Sequence, residues 1–186
     1  DRIEAGTYMM AAALTKGSLI IDGINPKIIK TEIDILKKIG VKIKTFNNQF
    51  KVAGSKIIKN INIKTSPYPG FPTDLQAQIM VLLCRANSNS LIYEEIFENR
   101  FMHCSELNRM GAKITAKGNK AYIKGKINFK SAELMATDLR ASVSLVLAAL
   151  IAEGKSYINR IYHLDRGYEE IEMKLRKVGA RIKRIS

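Results

Sequence analysis

Leu36 to Ile43 reads LKKIGVKI, and the chain returns to this phrase twice. It recurs as LNRMGAKI from Leu107 to Ile114 and as LRKVGARI from Leu175 to Ile182. The glycines Gly40, Gly111 and Gly179 lie 71 and 68 residues apart. A second echo pairs TDLQA (Thr73 to Ala77) with TDLRA (Thr137 to Ala141). Self-similarity at a long, nearly fixed period means one supersecondary unit used several times. In each phrase the glycine supplies the left-handed residue at which a helix stops.

Working outward from the phrase, each copy reads through in the same order. An apolar helix comes first: EAGTYMMAAALTKG, TDLQAQIMVLLCRA and TDLRASVSLVLAALIAEG. A short strand follows, in SLIIDGI, SLIYEEI and SYINRI. A second helix then ends in the repeated phrase. The alternating segments VKIKTF and FKVAG, joined through Asn47-Asn48, predict a hairpin, as do AKITAK and KAYIKG, joined through Gly118-Asn119. The unit is therefore βαβαββ-like and the class α/β.

The two helix types differ. PKIIKTEIDILKKIG places Ile29, Ile33, Leu36 and Ile39 on one stripe with lysines opposite. The first helix of each copy is apolar nearly all round, which predicts burial on every side. Three such helices packed together at the centre would leave the sheets outside, the reverse of an ordinary barrel. The chain reads as one domain over residues 1–186, with repeats of about 1–66, 67–130 and 131–186. The third repeat is incomplete: it ends at RIKRIS without a second hairpin strand. The edge left open there calls for a segment from elsewhere.

Composition narrows the function. A 46% hydrophobic content is enough for a packed core and excludes a disordered polymer. The apolar run Val143 to Ala152 is too short to span a membrane. The start, DRIEAGTYMM, has no initiator Met and no signal pattern, and reads as the interior of a longer product. The net charge of +14 attracts polyanions and phosphorylated small molecules alike. A basic nucleic-acid-binding domain is therefore the alternative function. Against it, the lysines are scattered and no aromatic stacking motif accompanies them.

The two cysteines, Cys84 and Cys104, give neither a disulfide framework nor a metal spacing. Cys84, in VLLC, reads as a buried small apolar residue. Cys104 follows His103, but neighbours along a helix do not face each other, so the two form no nucleophile pair. Reduced thiols without an export signal point to the cytoplasm. No metal and no cofactor are expected.

Three prolines, Pro67, Pro69 and Pro72, stiffen the chain just before Thr73-Asp74. Thr73 and Asp74 read as a helix N-terminus whose oxygens cap free N–H groups. An ionised aspartate held there by the helix dipole also suits a sugar hydroxyl. Ile96 reads as strand core, and Phe97 and Arg100 as packing and surface charge. Asp138 reads as a cap. Arg140 has no local reason to be there, and arginine suits planar recognition of carboxylate or phosphate. Arg166 is matched locally by Asp165 or Glu169. His103 and His163 are read as structural hydrogen-bonding groups.

Taken together and in order, DRIEAGTYMMAAA, PYPGFPTDLQAQ, FENRFMH, MATDLRAS and RIYHLDRGYE resemble the UDP-N-acetylglucosamine enolpyruvyl transferases (1-carboxyvinyltransferases). They favour this family over its shikimate-pathway relative of the same fold. The resemblance implies an inside-out α/β barrel of βαβαββ repeats, one of two such domains with the active site between them. It implies transfer of the enolpyruvyl group from phosphoenolpyruvate to the 3′-hydroxyl of UDP-N-acetylglucosamine, the first committed step of peptidoglycan synthesis. In that reading Asp74 contacts the 3′-hydroxyl as general base. Ile96 meets the UDP-sugar through its backbone, with Phe97 and Arg100 along the same edge. Arg140 and Arg166 face phosphoenolpyruvate, and Asp138 is counted with the substrate-binding residues. The family's reactive cysteine sits in the first domain, and neither Cys84 nor Cys104 occupies its motif. The partners implied are the two substrates and that first domain, with no nucleic acid and no membrane. The chain alone is expected to be inactive.

Overall fold

The computed structural model describes residues 1–185. Its order begins with α1 (Arg2–Leu14), β1 (Ser18–Asp22), α2 (Lys30–Lys38), β2 (Lys42–Thr45) and β3 (Gln49–Ala53). Next come β4 (Asn62–Lys64), α3 (Gln76–Cys84), β5 (Ser90–Tyr93), α4 (His103–Arg109), β6 (Ile114–Lys117) and β7 (Lys120–Ile123). The last copy holds β8 (Glu133–Met135), α5 (Leu139–Leu150), β9 (Tyr157–Asn159), α6 (Tyr162–Asp165) and α7 (Ile171–Lys177).

The repeated phrase folds the same way three times. Gly40, Gly111 and Gly179 have φ of +104°, +91° and +98°, a region where a side chain would clash with its own backbone. The N–H after each glycine bonds back to the carbonyl of the phrase's leucine: Val41 to Leu36 at 2.9 Å, Ala112 to Leu107 at 3.1 Å and Ala180 to Leu175 at 3.0 Å. Each glycine N–H bonds three residues back, to Lys37, Asn108 and Arg176. This is the Schellman stop, which satisfies carbonyls that a helix end otherwise leaves open.

The three apolar helices α1, α3 and α5 pack against one another. All nine residues of α3 are buried, Gln76 and Gln78 included. The strands show them one face and turn the other to water: Phe50 and Val52 of β3 are fully buried between exposed Gln49 and Lys51. Ile29, Ile33, Leu36 and Ile39 are all at most 3% exposed, as the stripe predicts. The helices are thus inside and the sheets outside.

Among the described residues only one sheet carries the full strand set. It runs β4-β5-β7-β6, with β4 parallel to β5 around α3, and β5, β7 and β6 antiparallel. The first copy has β1-β3-β2, all antiparallel. The third has only the parallel pair β8-β9. Among the described residues neither hairpin strand of the third copy forms. Instead Arg184 turns back to Asp165 at 2.6 Å and Glu172 at 3.0 Å.

Candidate functional site

The proline stretch is tied down at several points. Ser66 N–H bonds to Phe71 O at 3.0 Å and Gly70 N–H to Pro67 O at 2.7 Å. Thr31, in α2, donates its hydroxyl to Pro69 O at 2.5 Å. The Arg2 guanidinium lies over the Tyr68 ring, 5.0 Å from its centroid. The loop then enters a 3-10 turn, Thr73–Leu75, that leads into α3.

The two Thr-Asp-Leu starts do different jobs here, which corrects the capping expectation for Asp74. Pro72 occupies the N-cap position and makes no side-chain cap bond. Thr73 and Asp74 therefore lie inside the turn, and their side chains find other partners. Thr73 donates to Glu94 at 2.8 Å. The Asp74 carboxylate meets Arg100 Nη2 at 3.0 Å and Arg140 Nε at 3.6 Å. Asp138 caps α5 as read, accepting from Arg140 N at 2.9 Å and Ala141 N at 2.8 Å.

Glu94 builds the next part of the edge, and sequence reasoning missed it. It is 2% exposed, and its carboxylate accepts from Thr65 and Thr73 as well as from the main chain of Ile96 at 2.9 Å and Phe97 at 3.2 Å. The signal was available: a carboxylate directly after the apolar strand SLIY. Ile96 is not strand core, because β5 ends at Tyr93; it is half-buried in the turn that Glu94 organises. Phe97 is 53% exposed, with the Arg100 guanidinium 5.1 Å from its ring centroid. Arg100 is thus an ion-pair partner of Asp74 rather than plain surface charge.

Arg140 has its guanidinium carbon 5.6 Å from the centroid of the buried Tyr168 ring. Its Nη1 is buried without a hydrogen-bond partner. Arg166 is exposed, and among the described residues it forms no ion pair. The local match is corrected: Asp165 is taken by Arg184. Gly167 packs its backbone against the Leu139 side chain, so the Arg166 turn lies beside the start of α5.

The histidines do not follow the hydrogen-bonding expectation. His103 is 1% exposed, and neither ring nitrogen has a partner. Burial pushes its pKa down to about 4; the nearby Asp138 carboxylate opposes this and Arg100 adds to it. His163 stacks on Tyr162 with ring centroids 4.2 Å apart. Burial pushes the Cys84 and Cys104 thiols up to about 12, so neither is a nucleophile near neutrality.

Asp74, Arg100, Asp138 and Arg140 therefore converge at one edge, with Ile96 and Phe97 beside Arg100 and Arg166 on the adjoining turn. The chemistry available is an oxygen base flanked by two guanidinium groups. Guanidinium groups suit planar anions such as carboxylate and phosphate.

Comparison with known proteins gives a consistent result. Residues 1–175 match the family described as EPSP synthase (3-phosphoshikimate 1-carboxyvinyltransferase). The chain is 74% identical over 186 residues to a UDP-N-acetylglucosamine 1-carboxyvinyltransferase of Pelagibacter ubique, and 52% identical to one of Desulfosudis oleivorans. It spans 45% of the length of each of these curated relatives. Among solved structures, the enolpyruvyl transferase NikO from Streptomyces tendae superposes with a TM-score of 0.91 at 27% identity, covering 98% of this chain and 44% of that one. EPSP synthase from Acinetobacter baumannii gives 0.80 at 18% identity, covering 99% and 46%, a likeness of fold.

Proposed function

The chain belongs to the EPSP synthase (3-phosphoshikimate 1-carboxyvinyltransferase) family, and on that footing we propose that it supplies one half of the active site of a UDP-N-acetylglucosamine enolpyruvyl transferase. The observation that carries this reading is the Asp74 carboxylate set between Arg100 and Arg140 at 3.0 and 3.6 Å. The 74% identity to a UDP-N-acetylglucosamine 1-carboxyvinyltransferase supports the sugar nucleotide over shikimate 3-phosphate as acceptor.

In the reaction, the sugar's 3′-oxygen bonds to the enol carbon of phosphoenolpyruvate and phosphate leaves. Asp74 takes the hydroxyl proton. Arg140 and Arg166 hold the carboxylate and phosphate of phosphoenolpyruvate. The main chain of Ile96, set by Glu94, meets the UDP-sugar, with Phe97 and Arg100 along the same edge. Asp138 fixes the first turn of α5 and with it the backbone of Arg140. The reactive cysteine and the remaining contacts come from the other domain, and the reaction takes place in the cytoplasm.

A chimaera tests this directly. The chain replaces the aligned 45% of the Pelagibacter ubique relative, and phosphate release from phosphoenolpyruvate is followed with and without UDP-N-acetylglucosamine. Release that depends on the sugar nucleotide is the expected result. A folded chimaera without it contradicts the assignment.

A further inference from the structure

A ring of contacts closes behind the site. The Asp74 carboxylate reaches Arg140 Nε at 3.6 Å, and the Arg140 guanidinium lies 5.6 Å from the Tyr168 ring centroid. Tyr168 OH meets Gln78 Nε2 at 3.2 Å, and Gln78 Nε2 returns to the main-chain oxygen of Asp74 at 2.9 Å. Thr7 joins from α1, with its Oγ1 2.9 Å from Tyr168 OH and 3.3 Å from Gln78 Nε2.

The hydrogens can be followed. Thr7 sends its hydroxyl hydrogen to Ile3 O at 2.9 Å. Its oxygen is therefore the acceptor, and Tyr168 OH is the donor to it. The two hydrogens of the Gln78 amide are then left for Asp74 O and for the Tyr168 and Thr7 oxygens. Tyr168, Thr7 and Gln78 are 1%, 2% and 0% exposed. Polar groups this deep are costly when left unsatisfied, and Gln78 Oε1 has no hydrogen-bond partner among the described residues. Apolar side chains of the same size would fill this place, since Tyr168 is packed among Val143, Leu164 and Ile171. What the polar version adds is a fixed tie between α1, the start of α3, and the turn after α6.

We propose that Tyr168 is a positioning residue for the Asp74–Arg140 pair. Its ring supports the guanidinium, and its hydroxyl, through Gln78 and Thr7, fixes the main chain that carries the carboxylate. This rests on the reading of Asp74 and Arg140 as site residues.

The test uses four variants in the chimaera: Tyr168→Phe, Gln78→Met, Thr7→Val and Thr7→Ser. The first three should lower kcat by about 10-fold or more with KM little changed, because small misplacements of reacting groups cost rate rather than binding. Thr7→Ser keeps the acceptor oxygen and should restore kcat. Unchanged kcat in folded Tyr168→Phe and Gln78→Met overturns the proposal, as does a loss that merely follows the melting temperature. An inactive parent chimaera would count against the enzyme assignment alone. The positioning claim is then decided on the isotopically labelled chain by NMR. Tyr168→Phe, which keeps the ring, should shift the Arg140 Nε–H resonance and speed its exchange with water. No change in either overturns it.

Discussion

Asp74 and Asp138 stand in the same Thr-Asp-Leu phrase, yet one holds arginines and the other holds a helix end. The residue before decides: Pro72 takes the cap position ahead of Thr73, whereas Asp138 is itself the N-cap. Asp74→Asn in the chimaera should lower kcat by about 10²-fold or more, the scale of general base catalysis. Its melting temperature should fall only slightly: no cap is lost, and the ion pairs with Arg100 and Arg140 that the change weakens are partly exposed, worth about 1 kcal/mol at most. A stable Asp74→Asn enzyme with near-normal kcat would leave Asp74 as a purely structural group. His103 gives a second residue-level expectation. Burial holds its pKa at about 4 in the folded chain against an ordinary 6.5. Between those values the unfolded chain binds a proton that the folded chain refuses. Stability should therefore fall as pH drops through this window, by on the order of 1 kcal/mol per pH unit. Burial raises the pKa of Glu32, which contributes with the opposite sign and loses its contribution as pH rises. The decisive comparison is therefore wild type against His103→Gln, whose stability should depend less on pH; parallel curves would refute it. Neither residue's role was legible locally. A cap and an ion pair share one phrase, and a histidine's lack of partners depends on residues distant in sequence.

At the scale of elements, alternation and the Leu-x-x-x-Gly phrase were enough to place hairpins and helix ends, because both are local effects. Helix ends need a left-handed residue wherever they occur, and Gly40, Gly111 and Gly179 provide it. The third copy was less legible. Its GARI continues the repeat in letters, but no strand forms where the neighbouring β8-β9 pair has no hairpin to extend. A second repeated glycine makes a sharper test. Gly54 and Gly125 each follow the last hairpin strand, where the chain crosses the end of an inner helix. A Cβ on Gly125 would lie 2.3 Å from Ser88 O and 2.5 Å from Ala86 O, and one on Gly54 2.6 Å from Lys16 Cα. Backbone atoms cannot swing aside as a side chain can. Gly125→Ala should therefore destabilise by about 2 to 3 kcal/mol through overpacking. Gly118→Ala, at a hairpin tip with open space around it, should cost only about 1 kcal/mol, for its left-handed φ of +55°. Equal shifts in melting temperature for the two variants would show that the crossing is not close-packed.

For the whole molecule, helices inside and sheets outside bring the ends of the inner helices to one rim. That is why Asp74 before α3 and Arg140 in α5, far apart in sequence, meet at 3.6 Å. The order of the motifs made this convergence legible; the distances that set Tyr168 and Gln78 behind it were not, since two polar residues on buried helices carry no visible partner in the sequence. The chain covers 45% of the length of these curated relatives. Cys84 and Cys104 are buried, with thiols pushed up to about 12, so neither acts as a nucleophile near neutrality. The most direct test of the half-site is phosphate release by this chain alone, supplied with phosphoenolpyruvate and UDP-N-acetylglucosamine, beside the chimaera under the same conditions. No release from the chain alone and sugar-dependent release from the chimaera are expected; turnover by the chain alone would contradict the half-site.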